Sequence, residues 1–234
     1  MLILEGFLNG LSAFGVLLIN SINGIYVYYK SKKLDAKLLS YAALVILCMG
    51  FLWLAPTIDF LTILITENNL NPYWVYPILS YMWVAPAIIF SMYIGTELLI
   101  PDKKRYVLSI YVILGVIFEI VLFLFPAESF IVTIPNPSGS NIIDTSHVYG
   151  SITFILIAIF LLSGFVFDGI GFLTKMFKSK ERIVKKKFFY MSLGFILFSL
   201  VAVFDALIPP GPALPFVRLG IIISALFLYA GLKT

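Results

Sequence analysis

The chain is expected to fold as an all-α, polytopic membrane protein, a single domain of seven transmembrane helices spanning residues 1–234. Three observations carry that expectation. Seven stretches of roughly 17 to 28 mostly apolar residues recur along the chain, and a hydrocarbon core of about 30 Å needs about 20 helical residues to cross it. The composition is 61% hydrophobic and only 12% charged, against about 25% charged in soluble proteins, so a water-soluble fold has no interior able to hide the apolar surface. The basic residues, finally, crowd into every second gap between the apolar stretches.

The first segment, Leu2 to Tyr29, begins without a basic region in Met1 to Glu5, so it does not read as a cleaved signal peptide. It ends on Tyr26, Tyr28 and Tyr29, an interfacial aromatic cluster, and Lys30, Lys32, Lys33 and Lys37 follow. The second, Leu38 to Ile65, and the third, Tyr73 to Ile100, carry prolines inside their spans, Pro56 and Pro86. An interior proline frees a carbonyl and bends the axis, which opens a cavity or supplies a hinge. Cys48, alone in the second segment, excludes an intrachain disulfide or a cysteine metal site. Lys103, Lys104 and Arg105 precede the fourth segment, Tyr106 to Phe125.

The gap from Pro126 to His147 is the longest on its side. Ser129 to Ile134 followed by the turn-rich Pro135 to Ser140 reads either as a short hairpin lying over the bundle or as a loose connector. The fifth segment is Val148 to Leu173, and Lys175, Lys178, Lys180, Arg182, Lys185, Lys186 and Lys187 separate it from the sixth, Phe188 to Ile208. The seventh, Phe216 to Leu232, is followed by Lys233. These basic gaps hold every one of the 16 Lys and Arg residues except Arg218. By the positive-inside rule they face the cytoplasm, with the C-terminus inside and the N-terminus outside, and the expected location is the cell membrane. The net charge of +4 therefore reports topology rather than affinity for nucleic acid.

Ionisable groups at membrane depth are costly and tend to face a cavity or a partner. At about 1.5 Å of rise per residue, Asp59 and Asp205 fall near the outer ends of the second and sixth helices. Glu119 lies deeper on the fourth, and Arg218 opens the seventh across one turn from Asp205, close enough in sequence to pair with it. Asp59, Glu119, Asp205 and Arg218, with Tyr81 and Trp83 on the third helix, form the expected outer ligand pocket. The plainer reading is that the aspartates sit at helix ends in the interface. A second polar set, Asn20, Asn23, Glu97 and Asp168, lies in the cytoplasmic half and is the expected relay. Asp168 is near enough to the Lys175 loop to pair with a lysine there, and Asn20 and Asn23 share a helix face suited to interhelical hydrogen bonds. His147, at the outer start of the fifth segment, is the one histidine and a candidate sensor of external pH.

The expectation for cofactors, metals and catalytic residues is none. HExxH, GxSxG and P-loop motifs are missing, and the seventh segment has no lysine for a retinal Schiff base. A loose similarity between segments one to three and five to seven, each with an Asp near an outer end and a proline just before its last helix, keeps a transporter of three-plus-one-plus-three plan open. A non-catalytic membrane scaffold is the third alternative.

Tyr73-Trp74 followed by Tyr81, Pro86, Phe90, Tyr93 and Gly95 resembles the third helix of the seven-transmembrane sensor regions found at the N-terminus of prokaryotic histidine kinases and cyclic-dinucleotide enzymes. Phe216, Leu219, Ser224, Leu228, Tyr229, Gly231 and Leu232 are similar to the last helix of those regions, and the basic stretch Arg182 to Lys187 to the entrance of the sixth. The resemblance implies a membrane sensor with its output on the cytoplasmic side. It transfers no binding residue. No dimerising helix, kinase, cyclase or PAS segment is present up to Thr234, so the signal is expected to leave through the inner loops or through a segment outside this sequence. The expected partners are the bilayer, a small-molecule ligand and a cytoplasmic protein at the basic loop 175–187.

Overall fold

The computed structural model describes residues 2–208 and 211–232, so Lys233, expected to close the basic set, lies outside the described residues. Helix α1 (Leu4–Lys33) is followed by α2 (Lys37–Phe51) and α3 (Leu54–Thr66), then α4 (Val75–Tyr81), α5 (Val84–Leu99), α6 (Lys104–Leu124) and the single turn α7 (Pro126–Ser129). Strands β1 (Phe130–Thr133) and β2 (Asp144–His147) precede α8 (Ile152–Ser163), a π-helical stretch (Gly164–Ile170), α9 (Gly171–Lys178), α10 (Arg182–Leu207) and α11 (Leu214–Leu232). Among the described residues six helical units are long and apolar enough to cross a membrane. The pair α2 and α3, turned through 44° at its break, makes a seventh if taken as one crossing.

The helices run further into the basic gaps than the hydropathy limits placed them. The first continues past Tyr29 to Lys33, the fifth past Leu173 to Lys178, and the sixth starts at Arg182 instead of Phe188. Lysine and arginine are good helix formers with long apolar stems, so the chain leaves the apolar layer before it leaves the helix. Hydropathy marks only the first of those boundaries.

Helix α1 buries Gly6, Asn9, Gly10, Ala13, Val16, Asn20 and Gly24, a stripe of mostly small residues at three- and four-residue spacing. Such a stripe brings neighbouring helices close, and α1 packs on α2, α3 and α11. Helix α5 lies between α2 and α6 and also meets the π-helical stretch and α9, while α10 packs along α11. Contacts of Lys30 with Tyr229, and of Lys37 and Lys104 with the Tyr93 ring, bring the lysine-bearing ends to one side of the bundle, here the basic end.

Both proline sites interrupt their helices four residues upstream. Pro56 is the third residue of α3 and cannot donate to the Leu52 carbonyl; Pro86 is the third residue of α5 and leaves the Met82 carbonyl likewise. The breaks fall at Leu52–Trp53 and Met82–Trp83.

The opposite end carries a β-hairpin, so the connector alternative does not hold. The two strands pair antiparallel with Phe130 facing His147 and Thr133 facing Asp144. Its loop is tied to the middle of α3 by one carboxylate. Asp59 is fully buried and accepts from the Leu70 amide (2.7 Å), the Ile143 amide (2.7 Å) and Asn69 Nδ2 (3.1 and 3.3 Å). Asn69 in turn accepts from the Gly139 amide at 2.7 Å. Gly139 has φ of +77°, and a Cβ there would overlap the Glu67 carbonyl, so only glycine fits the turn.

Replacing Asp59 with Asn puts a donor against one of these N–H groups. The expected loss is about 2 kcal/mol of stability, with faster amide exchange in the hairpin. Unchanged thermal unfolding in lipid nanodiscs would show that the tie is not structural.

Candidate ligand-binding cavity

Where α2 to α5 break, they do not close on α8, α10 and α11, and a cavity of about 390 Å³ remains. Residues from both breaks line it: Leu52, Trp53 and Pro56 on one side, Tyr81, Val84 and Ala87 on the other. Gly164, the first residue of the π-helical stretch, contributes a third wall, and β2 with Ile142 and Ile143 lies across the hairpin end. Wide helical turns of this kind recur at functional sites, because they displace side chains from the regular register. The volume lies in the range of small-molecule sites.

The polar lining is uneven. Towards the basic end the walls are Val45, Met49, Ile88, Phe160 and Phe195, relieved by the hydroxyls of Ser91 and Ser199. At the hairpin end stand Tyr76, Asp144, His147, Asp205 and Arg218. Arg218 is 5% exposed and divides its donors three ways. Nε donates to Asp205 Oδ1 at 3.1 Å, and Nη1 to the Asn9 carbonyl at 2.6 Å and to Ser12 Oγ at 2.9 Å. One guanidinium thus joins α10, α11 and α1. Tyr81 stacks on Phe130 at 4.5 Å and meets the His147 ring edge-on at 5.1 Å, which seats the hairpin on α4.

Of the expected pocket residues, Tyr81, Asp205 and Arg218 are together on the lining. Asp59 is not; its oxygens are taken up by the hairpin tie. Trp83 packs against Phe51 at 4.6 Å, and Glu119 is half-buried on α6, both away from the lining. The four expected relay residues are dispersed. Asn20 is buried against Gly50 and Asn23 is half-buried, and neither side chain makes a hydrogen bond among the described residues, so they do not serve as hydrogen-bond glue. Glu97 pairs with Lys104 at 2.5 Å on the surface of the basic end.

Asp168 does not reach a loop lysine. It is fully buried in the π-helical stretch, where Ser91 Oγ donates to its Oδ2 at 2.5 Å and Oδ1 has no partner among the described residues. It fits only because Gly95 has no Cβ, which would overlap Oδ1. Ser91 therefore faces the cavity with one side and holds Asp168 with the other.

Asp144, Ser91, Asn9 and Ser12 escaped the sequence reading. Ser91 and Gly95 are four apart on one helix face, the pattern of a close helical contact, and that was the available signal. For Asp144 no local signal existed, since the fold of a 22-residue gap decided its place. Among the described residues no group of three or more His, Cys, Asp or Glu side chains is placed to hold a metal.

Desolvation in the hairpin lowers the His147 pKa below its ordinary 6.5. Desolvation at the cavity raises that of Asp144, against the Thr145 amide and the Arg218 charge, which pull it down. No protein-family model, curated protein or solved structure matches the chain.

Two outcomes follow from this geometry. Because the fold favours neutral His147, its contribution to stability is present above pH 6.5 and lost as the pH falls below that through the lowered folded value. Wild type should therefore lose stability relative to His147→Gln between pH 7 and 5, and a flat difference would refute it. Arg218→Ala leaves Asp205 and the Asn9 carbonyl without their donor and should cost about 3 kcal/mol. A loss below about 1 kcal/mol in thermal unfolding would show that the three-helix junction is held otherwise.

Proposed function

We propose that this chain is a non-enzymatic, sensor or receptor-like protein of the cell membrane. It crosses the bilayer seven times, with the hairpin end outside and the basic end in the cytoplasm, and takes a small ligand into the cavity beneath the hairpin. The cavity is the observation that carries the reading: about 390 Å³ of apolar space with its charged groups gathered at one end. Orientation rests on the Lys and Arg residues at the basic end. The likeness to prokaryotic seven-transmembrane sensor regions agrees with the same topology.

A route for the signal is supported by Ser91, which joins the cavity wall to Asp168 in the π-helical stretch. That stretch packs on α10 and runs into α9, which ends in Lys175 and Lys178. A ligand that prefers one rotamer of Ser91 shifts the population of two packings of the π-helical turn. The change emerges at the basic turn 175–187, where a cytoplasmic partner or the anionic lipid surface reads it.

Thermal unfolding of the protein in nanodiscs against a broad small-molecule panel tests the reading. A ligand at 100 times its Kd should add about 2.7 kcal/mol. Ala202→Phe, which fills the cavity from α10, should abolish that gain, whereas Asp168→Asn should keep it and lose the accompanying change in a probe on the basic turn. Flux of the ligand across sealed vesicles would replace the receptor by a transporter, and no stabilisation by any compound would sink the cavity reading altogether.

A further inference from the structure

Charges at the hairpin end of the cavity do not balance. Two carboxylates, Asp144 and Asp205, face it against one guanidinium. Arg218 is largely committed to fixed partners, Nε to Asp205 and Nη1 to the Asn9 carbonyl and Ser12, which leaves Nη2 without a hydrogen bond among the described residues. Asp144 forms no salt bridge and no side-chain hydrogen bond with another side chain among the described residues, and it is exposed at the end of β2. Three residues along β2, His147 Nδ1 is buried without a partner among the described residues. The cavity end thus presents unused acceptor capacity and one uncompensated negative charge, bordered by the Tyr76 and Tyr81 rings. The rest of the lining is mainly apolar, with the hydroxyls of Ser80, Ser91, Thr145, Ser146 and Ser199 set into it.

We propose that the ligand of this cavity is a small amphipathic amine, whose ammonium group is held by Asp144 beside the Arg218–Asp205 pair and whose apolar body fills the space between Met49, Ile88, Phe160 and Phe195. The inference rests on the cavity reading and adds the chemical class of the ligand. An ammonium supplies the missing positive charge and donors for a carboxylate that no other side chain engages. An anionic ligand could reach Arg218 only through Nη2, with Asp144 and Asp205 on the same lining, and the like charges oppose it.

Three near-isosteric probes separate the possibilities: 2-phenylethylamine, 2-phenylethanol and 3-phenylpropanoate, titrated against the full chain in nanodiscs of zwitterionic lipid. Intrinsic tryptophan fluorescence reads the binding, since Trp53 lines the cavity. The expected result is saturable binding with the amine at least tenfold tighter than the alcohol and the carboxylate weakest. In Asp144→Asn the ratio of amine to alcohol affinity should fall at least tenfold, with the unfolding temperature of the unliganded protein unchanged. Equal affinities for amine and alcohol, or an unaltered ratio in the variant, would overturn the amine assignment and leave the cavity as a binding site. Tightest binding of the carboxylate would overturn it in favour of Arg218 as the anchor. Binding of none of the three would overturn the amine assignment, and silence across the whole panel as well would remove the cavity reading with it.

Discussion

The two missing N–H groups of Pro56 and Pro86 set the shape of this molecule. Each frees a carbonyl one turn upstream and breaks its helix there, and the breaks stand beside the same interior space. Straight helices of this composition would interdigitate along their whole length, with voids rarely larger than a water molecule. Here α3 turns 44° away from α2 at the break, and side chains leave the space beside it unfilled. Together with the widened π-helical turn at Gly164, the proline breaks convert what would be core into a lined chamber. The hairpin, set across its end, depends on them in turn, because β2 rests on the residues that the breaks expose.

Three acids, Asp59 and Asp168 buried and Asp205 half-buried, show how differently one chain can house the same group. Asp59 is surrounded by amide donors and serves as a clamp, so its charge is dispersed over the hydrogen bonds of two loops. Asp205 has a guanidinium for partner, and the pair ties three helices together. Asp168 has a single hydroxyl and one bare oxygen, a condition that burial makes costly. A group held so incompletely is the natural place for a two-state rearrangement, and it lies in the π-helical stretch whose first residue, Gly164, lines the cavity. Stability is invested at the hairpin end; the capacity to change is left in the middle.

Much of the architecture could be read without coordinates. Charge spacing and hydropathy gave the helical class and the order of the apolar segments, although six of the seven expected spans stand as single helical units among the described residues and the seventh exists only if α2 and α3 count as one crossing. Pro56 and Pro86 marked the breaks, and the position of Asp205 and Arg218 on either side of one turn gave their pairing. Helix ends were less legible, since Lys30 to Lys33 and Arg182 to Lys187 are helical although they lie outside the apolar layer. The site was legible in part. Tyr81, Asp205 and Arg218 do meet around one space, but Asp59 belongs to the hairpin tie and Glu119 to another face.

Hydropathy, proline and charge are properties of a residue and its near neighbours, so the sequence by itself determined the all-helical class, the order of the segments and the gathering of basic residues at one end. Which side chains share a cavity depends on the rotation of each helix about its axis and on where a long gap folds back. Both are decided by contacts between residues far apart in the chain, such as Arg218 with Asn9 or Asp59 with Ile143. Only the tertiary structure could therefore place Asp144 at the cavity and turn Asp168 inward to Ser91, because a one-residue difference in helical phase, about 100°, would have turned Asp168 away, and a one-residue slip in strand register would have put Asp144 on the other face.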